Sequence, residues 1–272
     1  MRVLATIFGV IFFLAHSAYG LEYEWLSHDK KRESLHERYK APRGFKRVEV
    51  DSNSFAGFLR HLPLKPKSAV VRDHERKRLF APYAAAIIDL DIGGKDLQQC
   101  ADTLIRLYAE YQRSAGNAAA LSFKFTSGHG YAYADYLEGK RAVVRGNKVG
   151  WRTVAARRED RAAFRDWLDV IFMYAGTASL ARDLEKVRHE DARIGDLFIT
   201  PGFPGHTVMI ADIVENSAGG RRMLLIEGFT PAQDAHVVKA SIFTGGVWHE
   251  LEDNGGLELS FWSFSPNSLR RF

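Results

Sequence analysis

The sequence predicts an α+β domain, with helices early in the chain packed on an antiparallel sheet formed later. Two patterns carry the α+β expectation. Apolar side chains recur at helical spacing in three runs between residues 96 and 187, and from Gly195 they form short apolar stretches between turn residues. The clearest stretches, His206 to Glu215 and Met223 to Phe229, flank the turn Asn216-Ser-Ala-Gly-Gly220 and form a hairpin pattern.

The chain opens with Met1-Arg2, an uncharged run from Val3 to Leu14, and small residues at Ala18 and Gly20. That pattern predicts a secretory signal over residues 1–20, cleaved after Gly20. The apolar run falls short of the ~20 residues that span a bilayer, so no transmembrane segment is expected after cleavage. The mature protein is expected to be exported, to a periplasm or outside the cell. Residues 21–50 are charged and poorly periodic and are expected to form an exposed extension, with 51–272 as one domain.

Within that domain Ser54 caps a short helix to Leu62, and Ala84 to Asp91 is a buried strand. Asp96 with Gln99 has the form of a capping box, opening a helix that carries Leu97, Ala101, Leu104, Tyr108 and Tyr111 as far as Gly116. Residues 121–150 suggest strands and a long loop. Phe164, Trp167, Leu168 and Ile171 mark a second helix, and Thr177 caps a third. Val247 to Leu251 and Leu257 to Phe264 add strands.

The formal net charge is +5 and the pI is about 9.2. The basic residues are interspersed with acidic ones, which favours anionic surroundings such as an envelope polymer and not a nucleic-acid partner. No phosphate-binding glycine pattern, zinc-ligand spacing or serine-hydrolase elbow occurs, and neither cofactor nor metal is expected.

Cys100 is the single cysteine, so it forms no internal disulfide. It lies near a helix start, where the macrodipole favours the thiolate; it also shares a stripe with Leu104, Leu107 and Tyr111, the pattern of a core residue. His206 follows the loop Thr200-Pro-Gly-Phe-Pro-Gly205 and opens a strand whose alternation places Val208, Ile210 and Asp212 on its face. Glu227 sits at the far end of the return strand, where a carboxylate orients an imidazole, or is a solvated edge residue.

This order of helix-borne cysteine, strand-borne histidine and polar residue on the next strand resembles the papain-like fold, and most closely the NlpC/P60 cell-wall peptidases. Cys100-Ala-Asp-Thr-Leu and Gly195-Asp-Leu-Phe-Ile before Pro204-Gly-His206 carry the likeness. The chain departs from the Asp-Cys-Ser-Gly of those enzymes, and its Cys-to-His interval is longer. Most of the mature chain also resembles a bacterial family known only as domain of unknown function 4846. Gln98-Gln-Cys-Ala-Asp102, Tyr174-Ala-Gly-Thr177, the segment Gly195 to His206, and Pro231-Ala-Gln233 carry that likeness.

The peptidase resemblance implies a thiol hydrolase or acyltransferase acting on a peptide or peptidoglycan-like amide, with catalytic Cys100, His206 and Glu227. Gln99, Gln98, Gly205 and Phe203 would meet the oxyanion or substrate. The alternative is a non-catalytic envelope protein that binds a peptide or glycan in the same cleft, with Tyr131, Tyr133 and Tyr136 as a candidate groove. A metal hydrolase built on His206, Asp212 and His236 is a weaker alternative.

Overall fold

The structure, a computed structural model, describes residues 23–26, 32–252 and 254–272; the signal-peptide expectation over 1–20 lies outside them. The described residues form six α-helices: α1 (Leu35–Arg38), α2 (Phe55–Arg60), α3 (Cys100–Ser114), α4 (Tyr133–Leu137), α5 (Arg161–Tyr174) and α6 (Thr177–Asp183). The main sheet contains β1 (Phe45–Arg47), β2 (Ala84–Ile87), β3 (Glu185–Lys186), β4 (Leu197–Thr200), β5 (His206–Asn216), β6 (Arg221–Glu227), β7 (His236–Val238), β8 (Trp248–His249) and β9 (Leu269–Arg271). Its strand order is β2-β7-β6-β5-β4-β9-β3, with β8 paired to β6 and β1 to β5. All these pairings are antiparallel.

The β5–β6 hairpin is the spine of the sheet. Its turn closes because Asn216 Oδ1 accepts from the amides of Ala218 and Gly220 at 3.0 and 2.8 Å. Gly219 takes φ +82°, a region that favours glycine. Register shifts between Ile210 and Asp212, leaving Ala211 as an extra residue in β5. The shift reverses which side chains face which layer.

Leu104 and Ile105 of α3 and Trp167 and Ile171 of α5 pack with Met209, Ala211, Leu224 and Ile226 on one face of the sheet. On the other, Val208, Ile210, Met223 and Leu225 meet Leu257, Leu259 and Phe264 of a small hairpin. Full burial of a leucine- or isoleucine-sized side chain is worth about 1.5–3 kcal/mol, so both layers stabilise the spine. The α+β expectation holds at this level, with helices on an antiparallel sheet.

Several local expectations need correction. The described residues of the 21–50 segment are built into the fold: β1 pairs with β5, Leu35 is fully buried, and Tyr23 and Trp25 donate to the carbonyls of Phe58 and Asp89. Tyr131, Tyr133 and Tyr136 are buried and line no groove; Tyr133 and Tyr136 belong to α4, inside a stretch expected to be strand and loop. Asp212 leaves the His206 face because of the Ala211 bulge. It is fully buried, paired with Arg47 Nε at 2.6 Å and Arg60 Nη2 at 2.8 Å. It therefore does not join His206 and His236 in a metal-binding group.

Removing one member of a buried ion pair strands the other charge at a cost of about 3–5 kcal/mol. Asp212→Ala is expected to lower stability by that amount in denaturant titrations while leaving the pH dependence of Cys100 alkylation unchanged. A loss below about 1 kcal/mol would contradict the structural role.

Candidate functional site

Cys100 is the first residue of α3, which begins later than the Asp96 capping pattern suggested. Gln99 is the N-cap, extended at φ −87° and ψ −151°, and its amide donates to Asp102 Oδ2 at 3.1 Å. Amides in the first turn have no carbonyl partner within a helix, so those of Cys100 and Ala101 lie beside the sulfur. Gly228 brings the end of β6 against this turn. A Cβ there would lie 2.2 Å from Thr103 Oγ1 and 2.8 Å from the Gln99 carbonyl oxygen, so only glycine fits. The preceding residue is Glu227.

His206 opens β5. Gly205 before it is equally constrained, since a Cβ would fall 2.4 Å from the Gly202 oxygen and 2.5 Å from Thr177 Oγ1. His206 Nε2 meets Glu227 Oε2 at 2.6 Å, and His236 Nε2 meets Glu227 Oε1 at 2.9 Å. His236 Nδ1 lies 3.0 Å from the Asp234 carbonyl oxygen. A carbonyl only accepts, so that nitrogen carries its hydrogen. Burial alone would raise the Glu227 carboxyl, but hydrogen bonds from His206 and His236 outweigh it and hold the group below its ordinary range. With Glu227 ionised, Nε2 of each ring donates to it. His206 Nδ1 makes no hydrogen bond with any described residue, which leaves its lone pair free.

Cys100 and His206 line one cleft of about 620 Å³. Gln99, Phe203 and Gly205 line it too, as their sequence positions suggested, and Phe203 stands fully exposed at the rim. Gln98 does not. It is fully buried, and its Oε1 accepts from Arg106 Nη1 at 3.2 Å and Arg165 Nη1 at 3.0 Å. The Gln99 amide is also engaged, donating to Asp96 Oδ1 at 3.0 Å and accepting from Thr230 Oγ1 at 3.1 Å. It thereby ties the start of α3 to Asp96 and Thr230 in the cleft wall. No hydrogen bond joins the thiol to the His206 ring among the described residues. Such contacts are commonly long before substrate enters.

Sequence reasoning missed three neighbours and gave a fourth, His236, a different role. Phe229 and Trp262 pack on the His206 ring with centroids 5.0 and 5.3 Å away. His236 completes the contacts of Glu227, and Asp102 forms part of the cleft wall. Asp102 had a signal, the third helical position after an extended residue. The others depend on strand register.

The dipole argument predicted an easily ionised thiol, and the surroundings reverse it. Burial, followed by the nearby carboxyl of Asp102, pushes Cys100 up to about 12, with Glu227 adding to the rise; the Ala101 and Cys100 amides act the other way. Burial also pushes Asp102 well above the ordinary carboxyl range. Its Oδ2 accepts the Gln99 amide, while Oδ1 is buried without a partner. The resting site therefore holds a neutral thiol beside a carboxyl whose ionisation is opposed by burial.

Two measurements check these states. Native Cys100 is expected to alkylate with iodoacetamide near pH 8 at least about a hundredfold more slowly than a free cysteine; reaction at the free-cysteine rate would contradict the burial argument. The raised Asp102 carboxyl stabilises the fold at low pH, and that stability declines as pH rises above the ordinary range, because the unfolded chain ionises first. Relative to Asp102→Asn, wild type is expected to lose up to about 1.4 kcal/mol per pH unit above roughly 4, until the folded carboxyl itself ionises. Parallel pH–stability curves for the two proteins would show that Asp102 is not held neutral.

No curated protein and no solved structure matches the chain. A family model matches residues 35–271, which includes every residue of the cleft and of the Glu227 cluster. The chain thus belongs to the family described as domain of unknown function 4846.

Proposed function

We propose that this protein is an exported thiol hydrolase or acyltransferase of papain-like, NlpC/P60-like architecture that acts on a peptide or peptidoglycan-like amide. The observation that carries the reading is the shared cleft: Cys100 at the start of α3 and His206 at the start of β5, with ionised Glu227 behind the imidazole. The export part rests on the pattern of residues 1–20, and the substrate class on the resemblance to cell-wall peptidases.

In this mechanism His206 Nδ1 takes the thiol proton as Cys100 Sγ attacks the substrate carbonyl. The amides of Cys100 and Ala101 meet the oxyanion. The tetrahedral intermediate collapses to a thioester, and His206 returns the proton to the departing amine. Water, or an acceptor amine in a transferase, then attacks the thioester with His206 again as base and regenerates the thiol. Glu227 keeps the proton on Nε2 and stabilises the imidazolium formed in each step. Because the resting thiol is neutral, proton transfer accompanies attack and no preformed ion pair is required. The same neutral thiol favours the second reading, a cleft that binds a peptide or glycan without cleaving it.

Incubation with peptide amides and peptidoglycan fragments, followed by intact-mass analysis, tests both. The hydrolase reading expects an acyl adduct on Cys100 and turnover that falls about 10²–10⁴-fold in His206→Ala, with a smaller loss in Glu227→Gln. Fragments bound with equal affinity by wild type and Cys100→Ala, with no adduct and no product, would establish the binding reading instead.

A further inference from the structure

Away from the cleft, residues 71–79 form a tight hairpin whose shape is fixed from within. Leu79 N donates to the Val71 oxygen at 2.9 Å and Asp73 N to the Lys77 oxygen at 3.0 Å. The buried Asp73 carboxylate accepts from the amides of Glu75 and Lys77 at 3.0 and 2.9 Å. This frame displays Arg72, Arg76, Lys77 and Arg78, all exposed. Glu75 is the exposed acid of the hairpin and pairs with Lys77. Arg72, Arg76 and Arg78 have no carboxylate partner among the described residues. Arg76 holds φ +68°, a conformation that favours glycine or asparagine, so this cation occupies the tip against backbone preference.

The chain leaves the hairpin through Phe80, which is 91% exposed. A neighbouring loop carries Phe243 at 93% and Ile242 at 40%. The two loops are tied together: Lys239 N donates to the Tyr83 oxygen at 2.8 Å, and Lys239 Nζ donates to the Pro82 oxygen at 2.8 Å. Between Phe80 and the edge strand β2 runs a groove of about 510 Å³ lined chiefly by Val70, Val71, Leu79 and alanines of β2. Large apolar side chains at loop tips, beside arginines that lack carboxylate partners among the described residues, complement an interface that is anionic at its surface and apolar beneath.

We infer that this face docks on a lipid bilayer bearing anionic headgroups, with Phe80 and Phe243 entering the acyl boundary and Arg72, Arg76, Lys77 and Arg78 meeting phosphate. Phosphate oxygens satisfy the guanidinium groups, and the groove beside Phe80 accepts an acyl segment. The docking orients the cleft as well. His74 N donates to the Ala232 oxygen at 2.8 Å and Asp234 N to the Arg72 oxygen at 2.9 Å, joining the hairpin to the chain that follows cleft residues Phe229 and Thr230. The inference is independent of catalysis.

Sedimentation with vesicles of equal parts phosphatidylcholine and phosphatidylglycerol tests it, against vesicles of phosphatidylcholine alone. Binding is expected to the mixed vesicles and to fall steeply with salt. Arg76→Asn/Lys77→Ser/Arg78→Ser is expected to weaken it about a hundredfold, and Phe80→Ser/Phe243→Ser by at least about tenfold. Both variants should keep the wild-type melting transition, since these side chains are exposed. Absence of binding to the mixed vesicles would overturn the inference. So would binding that the phenylalanine changes leave intact, which would mark simple adsorption of a basic protein. Loss of self-association in the phenylalanine variant, measured by light scattering, with unchanged vesicle binding would assign the face to a second copy of the chain.

Discussion

A carboxylate with no solvent exposure is tolerable only when its charge is met, and the Glu227 contacts to His206 and His236 meet that requirement here. Each oxygen has an imidazole, and the second imidazole is anchored on a backbone carbonyl. Breaking such a buried pair costs about 3–5 kcal/mol, so strand register around the cluster is not free to drift. Glu227 faces His236 across β6 and β7, and β5 must deliver His206 to the same point from the other side. The glycine after Glu227 then lets the first turn of α3 close on the strand, carrying Cys100 to the cleft.

The same burial that makes Glu227 a rigid support raises the cost of charge on the other side of the cleft. Among the described residues Cys100 and Asp102 have no donors comparable to the two imidazole N–H groups that serve Glu227, and burial opposes charge on both. Helix amides lower the thiol's cost of ionisation, yet a backbone dipole worth about 0.3–1 kcal/mol at an exposed end is small beside desolvation of a buried group. The site therefore separates its functions: a fixed anion behind the imidazole, and a nucleophile that becomes charged only as it reacts in the proposed mechanism.

Much of this arrangement was legible in the chain. The Asn216-to-Gly220 turn and the flanking apolar runs specify β5 and β6, and helical periodicity specifies α3, α5 and α6. Cys100, His206 and Glu227 stood out as candidates because those residue types are unusual beside apolar strands and helix starts. Long-range register was not visible. One extra residue, Ala211, moves Asp212 from the His206 face to the Arg60 side, and simple alternation contains no signal for it. Gln98 and Gln99 are adjacent and chemically identical, yet one enters the arginine-rich core and the other the cleft. That choice follows from where the helix begins, and the Asp96 pattern suggested a start several residues too early. His236 joins the site only through pairing of β6 with β7, and the packing of Tyr131, Tyr133 and Tyr136 emerges only when α4 closes on α5.

The proposed chemistry depends on one proton being in one place. If Glu227 accepts from Nε2, the His206 lone pair on Nδ1 is available as a base; if the proton sits on Nδ1, neither the support nor the base works. Nitrogen-15 NMR of selectively labelled histidine, assigned with His206→Gln and His236→Gln, reads the tautomer directly. A hydrogen-bearing Nε2 and a bare Nδ1 are expected for His206, with the bare-nitrogen signal lost in favour of a tautomer mixture in Glu227→Leu. A His206 ring protonated on Nδ1 and bare at Nε2 in the wild-type protein would contradict the proposed chemistry.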